Sequence, residues 1–181
     1  YEGIKMYLEN NLPEKAEIVQ LYKGSKPIFD HYGIKRQIKA AFGTTATLSS
    51  GAYIVIEHTE AMHVIDVNSG PKSQRLDQET AAIQVNLEAA EEIARQLRLR
   101  DIGGLIVIDF IDMKSNENKT ELYNAMRKCM ESDRSQHTIL PLSKFGLMQI
   151  TRQRERQELK LDTSETCPSC GGSGKVNASI F

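Results

Sequence analysis

Two acidic residues stand where acids are costly. Asp66 lies in Val64-Ile65-Asp66-Val67-Asn68 and Asp109 in Val107-Ile108-Asp109-Phe110, each beside an apolar run that reads as a core strand. A carboxylate next to buried apolar surface must be paired, hydrogen-bonded or bound to metal. Two on neighbouring strands would repel, and a divalent cation resolves that repulsion. Magnesium takes one or two carboxylates, with water and phosphate oxygens completing its shell. Asn68 follows Asp66 by two positions, so a continuing strand turns both to one side, where Asn68 can orient Asp66, a water or a phosphate. The competing reading is that both acids cap helices or pair with arginine. Asp112 is a lesser candidate, better suited to opening the next loop or capping the next helix.

A second constellation lies near the end of the chain. Cys167-Pro168-Ser169-Cys170-Gly171-Gly172-Ser173-Gly174 has the spacing of a zinc knuckle, in which two thiolates share one ion and the glycines let backbone N–H groups turn toward sulfur. A structural zinc needs four ligands. Cys129 is far off in a predicted helix, and no histidine is near. The missing pair would come most economically from a second copy of the chain, which predicts a homodimer with zinc on its two-fold axis. A redox Cys-x-x-Cys usually sits between a strand and a helix, whereas this pair sits in a glycine-rich tail. A tail without metal is the other alternative.

The elements that must position these groups are legible in the apolar pattern. Ala52–Glu57 and Met62–Val67 read as strands joined by a hairpin. A long helix is predicted from about Asp77 to Arg100, with Ala82, Val85, Ala89, Ile93 and Leu97 at helical spacing. The run Leu105–Ile111 suggests a central strand buried on both faces. A helix near 119–132, on Leu122, Met126 and Met130, and strands at Thr138–Leu140 and Leu147–Ile150 follow. This order implies an α/β (α+β layered) domain. Ahead of it, Glu17–Tyr22 reads as a strand, His31–Phe42 as a helix capped by Asp30, and Gly43–Ser50 as a connector between subdomains.

Composition sets outer limits. The chain has 181 residues, 40% hydrophobic and 26% charged, with a formal net charge of −1. That balance excludes a strongly basic nucleic-acid-binding protein, so any RNA contact must come from a local basic face and a metal ion. No apolar run is long enough to span a membrane. Its 3 cysteines suit a reducing cytoplasm better than a disulfide framework. The termini read as cut ends of a larger protein.

Together these stretches resemble the bacterial ribonuclease E/G family. The resemblance is carried by Gly51–Glu57, Thr59-Glu60-Ala61, Ile65-Asp66-Val67-Asn68-Ser69, Asn86–Ala90 and Ile93–Asp101. It continues through Gly103–Met113, Ser143-Lys144-Phe145-Gly146-Leu147, Thr151-Arg152-Gln153-Arg154 and Cys167–Gly174. It implies a deoxyribonuclease-I-like catalytic subdomain over 49–160, part of a ribonuclease-H-like subdomain over 1–48, and a zinc link over 161–181. It implies a magnesium-dependent endoribonuclease that cuts single-stranded, often AU-rich RNA and leaves a 5′-phosphate and a 3′-hydroxyl. Asp66 and Asp109 match the magnesium-binding positions, Asn68 the assisting one, and Cys167 and Cys170 the zinc shared between protomers of a homodimer, with a tetramer as a further possibility.

Basic residues placed to bind the RNA backbone are Lys114, Lys119, Arg127, Lys144, Arg152 and Arg154, each with solvated surface as its plainer reading. Lys144-Phe145 stands out, because an aromatic beside a cation suits stacking on an unpaired base; the alternative is a core phenylalanine. The family's oligonucleotide-binding-fold domain and 5′-monophosphate sensor have no counterpart in the sequence, so this chain alone is expected to bind RNA weakly and to cleave it poorly or not at all. His63 and Gly70-Pro71-Lys72 depart from the best-known branch, toward a ribonuclease-G-like subgroup. Outside the family, the motifs also fit a noncatalytic zinc-linked scaffold, or a co-chaperone-like zinc module, although such modules carry several copies of the motif.

Overall fold

A computed structural model describes residues 1–70 and 78–155. The chain divides into two compact units, Tyr1–Lys39 and Ala40–Phe181. The first holds helix α1 (Glu2–Asn11), a 3-10 turn (Pro13–Ile18), the short helix α2 (Ile28–His31) and the start of α3 (Ile34–Ala41). None of these helices buries a residue. The strand expected over Glu17–Tyr22 does not form. Pro13 instead opens the 3-10 turn, which takes up Glu17 and Ile18, and every described strand belongs to the sheet of the second unit. The single helix expected over His31–Phe42 is broken at Gly33, whose φ of +66° interrupts the helical path.

The second unit is built on a six-stranded sheet in the order β1-β2-β3-β4-β6-β5. Its strands are β1 (Thr45–Thr47), β2 (Tyr53–His58), β3 (His63–Asn68), β4 (Gly104–Asp109), β5 (His137–Leu140) and β6 (Leu147–Arg152), with helices α4 (Gln78–Leu99) and α5 (Asn116–Met130). Only β3 and β4 run parallel; the other neighbours are antiparallel. The α4 helix makes the crossover between them, as a parallel connection requires. Thr45–Thr47, expected in a connector, pairs with β2 and joins the sheet. It lies in the second compact unit, which begins at Ala40.

One core serves the sheet and both helices. Ile54, Ile65, Ile106, Ile108, Met148 and Ile150 from alternate strand positions pack with Ala82, Ala89, Ile93 and Leu97 of α4 and with Leu122, Met126 and Met130 of α5. All five helical-period residues read for α4 are buried. The apolar run of β4 is covered on one face only: Ile106 and Ile108 are fully buried, while Leu105 on the other face is 38% exposed. The expectation of burial on both faces thus fails among the described residues, because the helices form a single layer. The open face is the one on which the acids lie.

Two polar clusters tie the layers together. Arg100, at the end of α4, donates to the carbonyls of Ala41 and Gly43 and to Gln96 Oε1, fixing the chain that leads into β1. Arg152, at the end of β6, donates to Asp133, Asp101 and the Ile102 carbonyl.

Candidate metal centre

The parallel pairing of β3 with β4 sets Asp66 directly opposite Asp109. Ile65 and Val67 on one side, and Ile106 and Ile108 on the other, fix the register by facing the core. Strand alternation then turns both acids to the open face. The row continues to Val55 on β2 and Leu147 on β6, so the two carboxylates are flanked by apolar side chains. Asn68 Nδ2 donates to Asp66 Oδ2 at 2.7 Å. The structure therefore brings together Asp66, Asn68 and Asp109, as the spacing predicts.

Among the described residues, the electrostatics are those of an uncompensated anionic site. Burial pushes the Asp109 carboxyl above its ordinary range, and the charges of Asp66 and Asp112 push it the same way. Among the described residues, no cation forms an ion pair with any of these three acids. The donor set suits magnesium: two hard carboxylates on an open face, with room for water and phosphate oxygens. Asp112 does not complete a cage; among the described residues, no group of three or more His, Cys, Asp or Glu is arranged to hold a metal ion.

The loop between β5 and β6 lies at the same end of the sheet, since Leu147 pairs with Asp109. Ser143 organises it: its Oγ accepts from the N–H groups of Phe145 and Leu147, and its carbonyl accepts from Gly146. Gly146 has a φ of +81°, and a Cβ there would come within 3.3 Å of Asp112 Oδ1. Phe145 is left 86% exposed, so the reading of it as a core residue is excluded. Lys144 is exposed as well.

The other basic candidates separate. Lys114 is exposed, with its backbone N–H on Glu79. Lys119 is half-buried on α5, and Arg127 lies over the Tyr123 ring. Arg154 is exposed, and its Nε donates to the Gly103 carbonyl at 3.3 Å. Arg152 does not fit the role expected of it. Its side chain is 4% exposed and is committed to Asp133 and Asp101, which makes it a structural residue. The signal was available: Met148, Ile150 and Arg152 share the inward phase of one strand. Cys167 and Cys170 lie outside the described residues.

Sequence reasoning missed Asn86 and Glu79 on α4. Asn86, fully buried, pairs with both backbone groups of Ile111. Glu79 accepts from the N–H groups of Lys114 and Ser115.

Comparison with known proteins decides the family. The profile of the Ribonuclease E/G family matches residues 1–155. The chain belongs to that family. It is 44% identical to Ribonuclease E of Haemophilus influenzae over 176 residues, covering 97% of this chain and 19% of that protein. It is 43% identical to the chloroplastic Ribonuclease E/G-like protein of Arabidopsis thaliana over 180 residues, 98% of this chain and 18% of the relative. To Ribonuclease G of Escherichia coli it is 34% identical over 176 residues, 97% of this chain and 36% of the relative. The chain thus spans well under half the length of each of these relatives.

Proposed function

We propose that this chain carries the metal-binding core of an endoribonuclease that cleaves single-stranded RNA by magnesium-dependent hydrolysis, leaving a 5′-phosphate and a 3′-hydroxyl, in RNA processing and decay. The observation that carries the reading is the register pairing of Asp66 with Asp109, with Asn68 bonded to the first. Asp66 and Asp109 would hold the magnesium ion. When bound, that ion polarises the scissile phosphate and acidifies water for in-line attack. Asn68 fixes one Asp66 oxygen by its hydrogen bond, leaving the other free to ligate. Phe145 offers a stacking face for an unpaired base near the cut, and Lys144, Lys114 and Arg154 offer charge to the RNA backbone.

On this reading the sheet unit corresponds to a deoxyribonuclease-I-like catalytic subdomain and the residues ahead of it to part of a ribonuclease-H-like subdomain. Cys167 and Cys170 belong to a zinc link that joins protomers into a homodimer, which further pairing would make a tetramer. The setting is cytoplasmic; among the described residues, no helix is long and apolar enough to cross a membrane. RNA grip depends on parts of the relatives beyond the matched span, so this stretch alone cleaves weakly or not at all.

The test is cleavage of a short single-stranded RNA by the full-length protein, with and without magnesium, comparing Asp66→Asn and Asp109→Asn with the unaltered chain. Loss of cleavage with the fold intact supports the reading. Unchanged cleavage in both variants removes Asp66 and Asp109 from the chemistry and sinks this reading; an unaltered protein that cleaves no RNA leaves a noncatalytic zinc-linked scaffold.

A further inference from the structure

Asp109 is the last residue of β4, and the chain beyond it leaves the sheet without entering a helix until Asn116. Backbone groups there have no ladder to join, yet those that are buried must be paired. The α4 helix supplies the partners. Asn86 Nδ2 donates to the Ile111 carbonyl at 2.8 Å, and the Ile111 N–H donates to Asn86 Oδ1 at 3.0 Å. The amide thereby imitates a neighbouring strand at the point where the sheet runs out. Farther along, Glu79 Oε2 accepts from Lys114 N–H at 2.9 Å, and its Oε1 accepts from Ser115 N–H at 3.0 Å and from Asn118 Nδ2 at 2.8 Å.

The geometry of the two anchors is matched. Glu79 and Asn86 are two helical turns apart, on one side of α4 and about 10 Å apart along its axis. Ile111 to Lys114 in extended form spans a similar length, about 10 Å. The segment therefore runs antiparallel to α4, pinned at each end, with Asp112 and the buried Met113 between the pins. The first pin falls two residues past Asp109.

We propose that Asn86 and Glu79 are positioning residues of the metal centre: they hold the chain leaving β4 so that Asp109 keeps its place opposite Asp66. This rests on the reading of Asp66 and Asp109 as metal ligands. Asn86 is fully buried, so removing its amide leaves both Ile111 groups without partners and lets the strand end shift. Glu79 is half-buried and fixes the far end of the same segment.

The experiment is direct titration of the full-length protein with manganese(II) alone, read by electron paramagnetic resonance at a temperature where every variant is folded. The variants are Asn86→Leu, Glu79→Ala, Asp109→Asn and, as a destabilised control in the same helix, Leu97→Ala. Asn86→Leu is expected to weaken manganese binding about tenfold, the lower end for residues that orient a ligand from behind. Glu79→Ala should weaken it less, and Leu97→Ala should leave it unchanged. At saturating metal, the RNA KM of Asn86→Leu should match that of the unaltered protein. Should Asn86→Leu fail to fold, Glu79→Ala decides the matter, since no core packing is lost there. If Asp109→Asn abolishes binding while Asn86→Leu and Glu79→Ala behave like Leu97→Ala, the positioning role is overturned and the metal site stands. If Asp109→Asn binds manganese normally, the metal reading fails and takes this inference with it.

Discussion

Asp66 and Asp109 are direct register partners on the one parallel strand pair of the described sheet. Neither is neutralised by a described cation, and the Asp109 carboxyl is raised by burial and by its acidic neighbours. Removing one charge should therefore separate catalysis from folding. Asp109→Asn is expected to lower magnesium-dependent cleavage by on the order of 10³-fold, since a positioned metal ion contributes several kcal/mol to phosphate transition states. In EDTA, the same variant should melt at the same temperature as the unaltered protein or slightly higher, because the repulsion is gone. Parallel assays of cleavage and thermal unfolding check both halves.

Phe145 is 86% exposed in a loop whose backbone N–H groups bond to the Ser143 hydroxyl. A large aromatic so placed contributes little to the core, so Phe145→Ala should leave stability within about 0.5 kcal/mol. If a base stacks there, the same variant loses about 1–3 kcal/mol of affinity for single-stranded RNA. Phe145→Tyr should restore binding. Fluorescence anisotropy with a labelled oligonucleotide measures this, and unchanged affinity in Phe145→Ala removes the residue from the RNA path.

The site was legible in the sequence where it depended on strand phase. Val64–Val67 and Leu105–Asp109 each carry an acid at the edge of an apolar run, which marks both as strand residues; that the two strands pair in parallel and turn their acids to one open face came only with the structure. The two acids and the strands bearing them could be picked out ahead of the structure, but not their register. What also could not be read lay in long-range polar partners. Asn86 looks like any polar residue on a helix until Ile111, 25 residues on, turns out to need both halves of its amide. Arg152 was a candidate RNA contact only because it is basic. Its inward phase on β6 argued otherwise, and the acids that make its burial tolerable, Asp101 and Asp133, lie far from it in sequence. Thr45–Thr47 went unread for a related reason: it is too short and polar to announce a strand, and only pairing with β2 makes it one.

Arg152 and Asp133 form a buried pair whose side chains are 4% and 3% exposed. The Asp133 carboxyl is held below its ordinary range; burial opposes this, and the Arg152 hydrogen bond and the Ser135 N–H outweigh it. A carboxyl lowered on folding stabilises the protein fully above its unfolded value, near 3.9, and that contribution disappears as pH falls through the lowered folded value. The protein should therefore lose stability steeply on the acid side. Asp133→Asn should flatten that acid limb and cost about 3 kcal/mol at neutral pH, the lower end for breaking a buried pair, because Arg152 keeps Asp101 and the Ile102 carbonyl. Urea denaturation at a series of pH values measures both effects. Equal acid limbs in the two proteins would show that Asp133 is not the group responsible.

Cys167 and Cys170 fall outside the described residues, and their role as half of a shared zinc site rests on ligand arithmetic. On the proposed reading, two thiolates at this spacing would supply half of a tetrahedral site, and a second copy of the chain would supply the rest with two-fold symmetry. Native mass spectrometry of the full-length protein should accordingly find one zinc per two chains. Chelation followed by removal of the chelator, or Cys167→Ser with Cys170→Ser, should abolish the zinc-bound dimer while leaving manganese binding at the proposed Asp66–Asp109 site intact, because neither acid depends on the cysteines for its place in the sheet. A protein that stays monomeric with zinc bound one per chain would instead place all the zinc ligands within a single copy.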